Sequence, residues 1–116
     1  MDYSFKIEER LKSKERISEL FQKGRLSKKG FIIIRFLPND LGYNRLAISV
    51  PKRRIASAVK RNLIKRRIRE IYRLHKSEIE LGSDQVHYDM ICLYLANELH
   101  SYDRIKKQFL KFKLEK

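Results

Sequence analysis

Apolar positions recur along this chain with two different periods. Ser13 precedes Ile17, Leu20 and Phe21, which fall at helical spacing, and Gly24 follows them. A serine hydroxyl can accept from the free amides of a first turn, and glycine suits a left-handed residue just past a last one, so a helix is predicted over 14–23. Phe31–Leu37 is β-branched and aromatic and predicts a strand, with room for one very short strand at Leu26–Lys28 before it. Pro38, Asn39, Asp40 and Gly42 then supply turn chemistry. Leu46–Val50 alternates, with Leu46, Ile48 and Val50 on one side and Arg45, Ala47 and Ser49 on the other, as in a sheet with one buried face. The two runs are predicted to pair as an antiparallel hairpin.

Pro51 closes that strand, and Ser57 is placed to cap a long helix over 58–77. Ile64, Ile68, Ile71, Tyr72 and His75 form its apolar stripe. At 100° per residue, Asn62, Lys65, Arg66, Arg69 and Arg73 fall on one continuous polar arc. Gly82, Ser83 and Asp84 make a loop, and Tyr88–Leu95 is mostly apolar, as expected of a strand covered on both faces. Ser101 can cap a last helix over 102–114, with Ile105, Phe109 and Phe112 inward. Residues 1–12 suit an extended arm. The order α-β-β-β-α-β-α predicts an α+β fold, a single domain over 1–116 with helices packed on a small sheet. No internal repeat or interdomain linker interrupts it.

Charge changes this picture most at one place. Lys52–Arg69 holds nine Lys or Arg and no Asp or Glu, while the other basic residues are interspersed with all 14 acidic ones. A run of charge is usually a solvated surface, but a net charge of +14 opposes compaction and implies a polyanionic partner. Each Lys or Arg that meets a phosphate releases a condensed counterion, and arginine can grip phosphate with two donors or stack on a base. An anionic membrane would also suit a basic amphipathic helix, but the apolar stripe would have to leave a core that 116 residues can ill spare. Asn62 could bond a base edge, the RNA backbone or a neighbouring main-chain group. Exposed aromatics beside basic residues could stack on unpaired bases, although Phe21 shares its stripe with Ile17 and Leu20, which favours core packing.

Signals for chemistry are sparse. His75, His87 and His100 form no HExxH or Cys/His ligand cluster, and four glycines make no phosphate loop. Cys92 sits in an apolar strand, which suits an inert core thiol, and as the only cysteine it forms no internal disulfide, in keeping with a reducing compartment. Glu78, Glu80, Asp84 and Asp89 could hold a hydrated Mg²⁺, but a solvated loop is the commoner arrangement. The longest apolar run, Met90–Ala96, is too short to span a membrane, and the N-terminal residues lack the apolar centre of a signal peptide. A soluble cytoplasmic binder without chemistry of its own, and without a membrane or small-molecule partner, is expected.

The run Ala58-Val59-Lys60-Arg61-Asn62-Leu63-Ile64-Lys65-Arg66-Arg67-Ile68-Arg69-Glu70 resembles the signature of the bacterial ribonuclease P protein family, Ala-Val-x-Arg-Asn-Arg-x-Lys-Arg-x-x-Arg-Glu. That signature follows a strand ending in Ser-Val-x-Lys-Lys, and Ser49-Val50-Pro51-Lys52-Arg53 stands there in this chain. Arg10-Leu11-Lys12 and the Phe21…Gly24 helix end are also similar. The resemblance implies a four-stranded sheet with a left-handed βαβ crossover around the long helix, opposite to the usual hand. It implies a protein subunit that assists a catalytic RNA in Mg²⁺-dependent removal of the 5′ leader of precursor tRNA, with the Mg²⁺ held mainly by the RNA. Arg61, Asn62, Lys65, Arg66 and Arg69 would contact that RNA, extended by Lys52, Arg53 and, on the same arc, Arg73. The single-stranded leader would lie in a cleft between helix and sheet, for which Phe21, Ile34 and Phe36 are the candidates. Leu63 departs from the basic residue of the signature, and Ile17 stands where an aromatic is common. Two other readings of the basic run are a structural RNA-binding protein of ribosomal type and a DNA-binding protein, although no helix-turn-helix surrounds the long helix.

Overall fold

A computed structural model describes residues 7–76 and 86–112. After a short 3₁₀ turn, Ile7–Glu9, the elements run α1 (Lys14–Lys23), β1 (Arg25–Lys29), β2 (Ile32–Asn39), β3 (Arg45–Ser49), α2 (Ala58–His75), β4 (His87–Tyr94) and α3 (Tyr102–Phe109). The predicted order is therefore the observed one. Ser13, Ser57 and Ser101 each cap a helix by accepting from the backbone amide three residues on. Gly24 ends α1 with its N–H on the Leu20 carbonyl, but its backbone is extended (φ −65°, ψ 143°) and not left-handed. The last helix stops at Phe109, short of the expected end, yet Phe112 still buries its ring beside Phe109.

The sheet order is β1-β2-β4-β3. The predicted hairpin between β2 and β3 does not form: β4 lies between them, antiparallel to β2 and parallel to β3. The cause is visible in β4. Tyr88 through Cys92 are all buried, so this strand needs cover on both faces and a neighbour on each edge. Parallel pairing of β3 with β4 requires a crossover, which α2 provides. The link from β2 to β3 is held by Asn39, which accepts from the Leu41 amide and donates to the Tyr43 carbonyl, and by Gly42 at φ 83°. Pro38 lies inside β2 and not in the turn. It is tolerated because β1 ends opposite Phe36, leaving β2 as an edge beyond that point.

Two clusters fill the fold, one on each side of the sheet. The larger joins Ile32, Ile34, Phe36, Leu46, Met90, Cys92 and Tyr94 to Ile64, Ile68, Ile71 and Tyr72 of α2 and to Ile105, Phe109 and Phe112. The smaller places Leu20 of α1 and Leu11 against Ile91, with Ile17, Leu37, Ala47 and Leu93 around them. The sheet thus has a second, partly covered face, as expected from the apolar run of β4 but not from the alternation of β3. Ile68 is fully buried in the larger cluster. Ile68→Ala should therefore lower stability by about 2–5 kcal/mol, read as an earlier thermal midpoint; an unchanged midpoint would remove Ile68 from the core.

Candidate nucleic-acid interface

Because side chains alternate along strands, the register places three rows on the α1 side of the sheet. Lys28, Ile33, Leu93 and Ser49 form one row, Leu26, Arg35, Ile91 and Ala47 the next, and Leu37, Asp89 and Arg45 the third. The third row is locked to α1 by charge. Asp89, 1% exposed, accepts from Arg16 Nε at 2.7 Å, from Arg45 Nε and Nη2 at 2.7 Å each, and from Asn39 Nδ2 at 2.9 Å. Arg16 also reaches Glu19 and the Pro38 carbonyl. One buried carboxylate therefore ties α1, β2, β3 and β4 together. It has no lone pair to spare for a cation, so the Mg²⁺ grouping with Glu78, Glu80 and Asp84 does not hold at Asp89, and those three lie outside the described residues. Among the described residues, no group of three or more His, Cys, Asp or Glu could hold a metal ion.

The first two rows are more open. Phe21 is 46% exposed at the end of α1, contrary to the core packing its stripe suggested. The Arg35 guanidinium lies over the Phe21 ring, 5.8 Å from its centroid, and Leu26 beside Arg35 is half exposed. A flat aromatic and a guanidinium on a shallow apolar floor suit an unpaired base, which offers a π-face of its own. Ile34 and Phe36 do not line this surface. Both point into the larger core, at 0% and 4% exposure, because the alternation turns Ile33 and Arg35 to the open side.

On the opposite layer, α2 presents its basic arc. Asn62, Arg66 and Arg69 are exposed and Lys65 is half-buried, with Lys52 and Arg53 exposed in the turn ahead of the helix. Asn62 makes no local hydrogen bond among the described residues, so its amide is available. The first turn of α2 contains no acidic residue. Its free amides and the positive end of the helix dipole add to Lys60 and Arg61 and favour an anion there. Two members of the predicted set are partly committed. Arg61 donates through Nη1 to the Ile55 and Ala56 carbonyls at 2.9 and 2.8 Å and so braces the loop against the helix. Arg73 forks onto Glu70 across one turn, at 3.2 and 2.6 Å. Arg67, although basic, is a structural tether to the His100 carbonyl.

Arg69 connects the two layers. It lines a groove of about 290 Å³ at the free edge of β3, together with Arg10, Lys12, Ile17, Ala47 and Ile48. The N-terminal segment reaches this edge by an isolated bridge between Arg10 and Leu46 and by the Leu11 N–H on the Leu46 carbonyl. Sequence reading missed Arg35, Arg10 and Lys12 as surface donors. For Arg35 a signal existed: it is the one charged residue of the Phe31–Leu37 run, and so marked its parity as the open one. Cys92 is the inert core thiol expected, and burial pushes it up to about 12. No helix among the described residues is long and apolar enough to cross a membrane.

An α+β domain with a strongly basic helix on one layer and an open guanidinium–aromatic face on the other defines a nucleic-acid-binding protein. The Ribonuclease P family model matches residues 5–114, and the chain belongs to that family as a ribonuclease P protein subunit. It is 44% identical over 109 residues to the ribonuclease P protein component of Petrotoga mobilis, covering 93% of this chain and 91% of that one. It is similar in structure to the RNase P protein of Thermotoga maritima, with a TM-score of 0.73 at 25% identity over 88% of this chain and 92% of that one. The RNase P protein of Staphylococcus aureus superposes with a TM-score of 0.71 at 28% identity, over 86% and 87% of the two chains.

Proposed function

We propose that this subunit lays the α2 ridge on the catalytic RNA of ribonuclease P and holds the single-stranded 5′ leader of precursor tRNA across the α1 side of the sheet. The observation that carries this reading is that the two surfaces lie on opposite layers: Asn62, Arg66 and Arg69 stand exposed on α2, and exposed Phe21 of α1 stands with partly exposed Arg35 of β2 on the other side of the sheet. Phosphate-rich RNA suits the first, because arginine and lysine replace its counterions. An unpaired leader suits the second, because its bases are free to stack. Hydrolysis falls to the RNA. Mg²⁺, which takes oxygen ligands and keeps several waters, is then held by RNA phosphates, while the protein neutralises nearby charge and positions the leader. The family assignment favours this reading over a ribosomal-type RNA-binding protein. Cytoplasmic location follows from the same role.

Cleavage of precursor tRNA by the catalytic RNA at low Mg²⁺, with and without the protein, tests the proposal. Marked stimulation is expected, and its absence would overturn the assisting role. With the assembled complex, a substrate carrying a 5′ leader should bind more tightly than mature tRNA; equal affinity would remove the leader from the α1 face.

A further inference from the structure

A second cationic stripe runs along α3 and into the turn after it. Arg104 and Lys107 of the helix and Lys111 of that turn recur at i, i+3 and i+7 and are all exposed, on the side away from Ile105 and Phe109. Lys29 joins them from the end of β1. Gly30 in the turn that follows, at φ 56°, lies against Gln108 of α3, whose side chain fills the space a Cβ would take. Lys29 pairs with Ile32, which points to the layer holding α2 and α3. Among the described residues, none of these four cations has a carboxylate within ion-pair distance. This differs from Arg16, Arg45, Arg73 and Lys76, each of which is neutralised within the chain.

We infer that the α3 stripe is a second docking surface, which takes backbone phosphates of the catalytic RNA apart from the α2 ridge. The inference rests on the function proposed above. Four unpaired cations on a chain of net charge +14 repel one another, and a polyanion relieves that repulsion. Arg104 to Lys107 rises about 4.5 Å along α3, and Lys111 in the following turn extends the line, a spacing on the scale of the roughly 3.4 Å between phosphates along one strand of a duplex. The stripe is built of helix and tight-turn residues on a packed core, so its spacing is held before RNA arrives. The catalytic RNA is the occupant because α3 shares its layer with α2, whereas the precursor leader belongs to the opposite side of the sheet.

The test is binding of the R104Q/K107Q/K111Q variant to the catalytic RNA alone, across a range of salt. The log–log salt slope should fall by about 2–3, that is 0.7–0.9 for each lost phosphate, with thermal unfolding unchanged. The preference of the assembled complex for leader-bearing over mature tRNA should stay as in wild type. An unchanged slope in the folded variant overturns the inference. So does a slope unchanged for the catalytic RNA but reduced for precursor tRNA, which would assign the stripe to the substrate. If K65Q/R66Q/R69Q weakens binding and the α3 variant does not, the second surface falls while the proposed function stands. If wild type itself fails to bind the catalytic RNA, both fall.

Discussion

Asp89→Asn is expected to destabilise the fold by about 3–5 kcal/mol, because Asp89 is buried and holds α1 to the sheet. The carboxylate is 1% exposed and answers two guanidinium groups and one amide at 2.7–2.9 Å. An asparagine of the same shape keeps one acceptor but turns an NH₂ toward donors, so two partly buried guanidinium groups lose their shared counter-charge. For a domain of this size, each kcal/mol moves the midpoint by about 4–8 °C, so the thermal midpoint should fall by well over 10 °C. A shift of only a degree or two would mean that α1 is held by Leu11, Leu20 and Ile91 alone.

The same residue sets a pH dependence. Burial by itself raises the Asp89 carboxyl, but hydrogen bonds from Arg45, Arg16 and Asn39 together outweigh it, so the group titrates below its ordinary 3.8. The unfolded chain then takes up this proton before the folded one does. The stabilisation is fully present above the ordinary carboxylate range and is lost as pH falls through the lower folded value. The stability gap between wild type and Asp89→Asn should therefore close below about pH 4. A gap that persisted undiminished into strong acid would show that charge at Asp89 is not its source.

This hub was not legible in the sequence, and the reason is distance along the chain. Asp89 lies 73 residues from Arg16 and 44 from Arg45, and as one of four acids in and beside a polar loop, with Glu78, Glu80 and Asp84, it reads as solvated. Strand order was hidden for a related reason. Periodicity in β2 and β3 establishes two strands, but pairing depends on which strand most needs burial, and that strand, β4, arrives after α2. Helices were easier, because caps and stripes are local: Ser57 and the Ile64–Ile68–Ile71–Tyr72 stripe located α2 almost to the residue. The α2 ridge was legible on the same local evidence. The open face proposed for the leader was not, since Ile34 and Phe36 differ from Ile33 and Arg35 by a single step of alternation, and only the charge on Arg35 reveals which parity meets solvent.

Removing that ridge should do the opposite of removing Asp89: it should leave the fold and disable the binding. In K65A/R66A/R69A, Ile64 and Ile68 keep their places in the core, and three like charges are lost from a chain of net charge +14. Thermal stability should stay the same or rise slightly, because self-repulsion falls. Affinity for the catalytic RNA should drop, and its log–log salt slope should flatten by about 2–3. Between 50 and 200 mM salt, that removes roughly 16- to 64-fold of the wild-type weakening, an effect well outside the error of a titration. Arg61→Ala should behave differently from all three. Its Nη1 holds the Ile55 and Ala56 carbonyls, so part of its loss should appear as a lower melting temperature. If the triple variant kept the wild-type salt slope, these side chains would face solvent in the complex, and the RNA would have to engage the basic helix from its Lys52–Arg53 end alone.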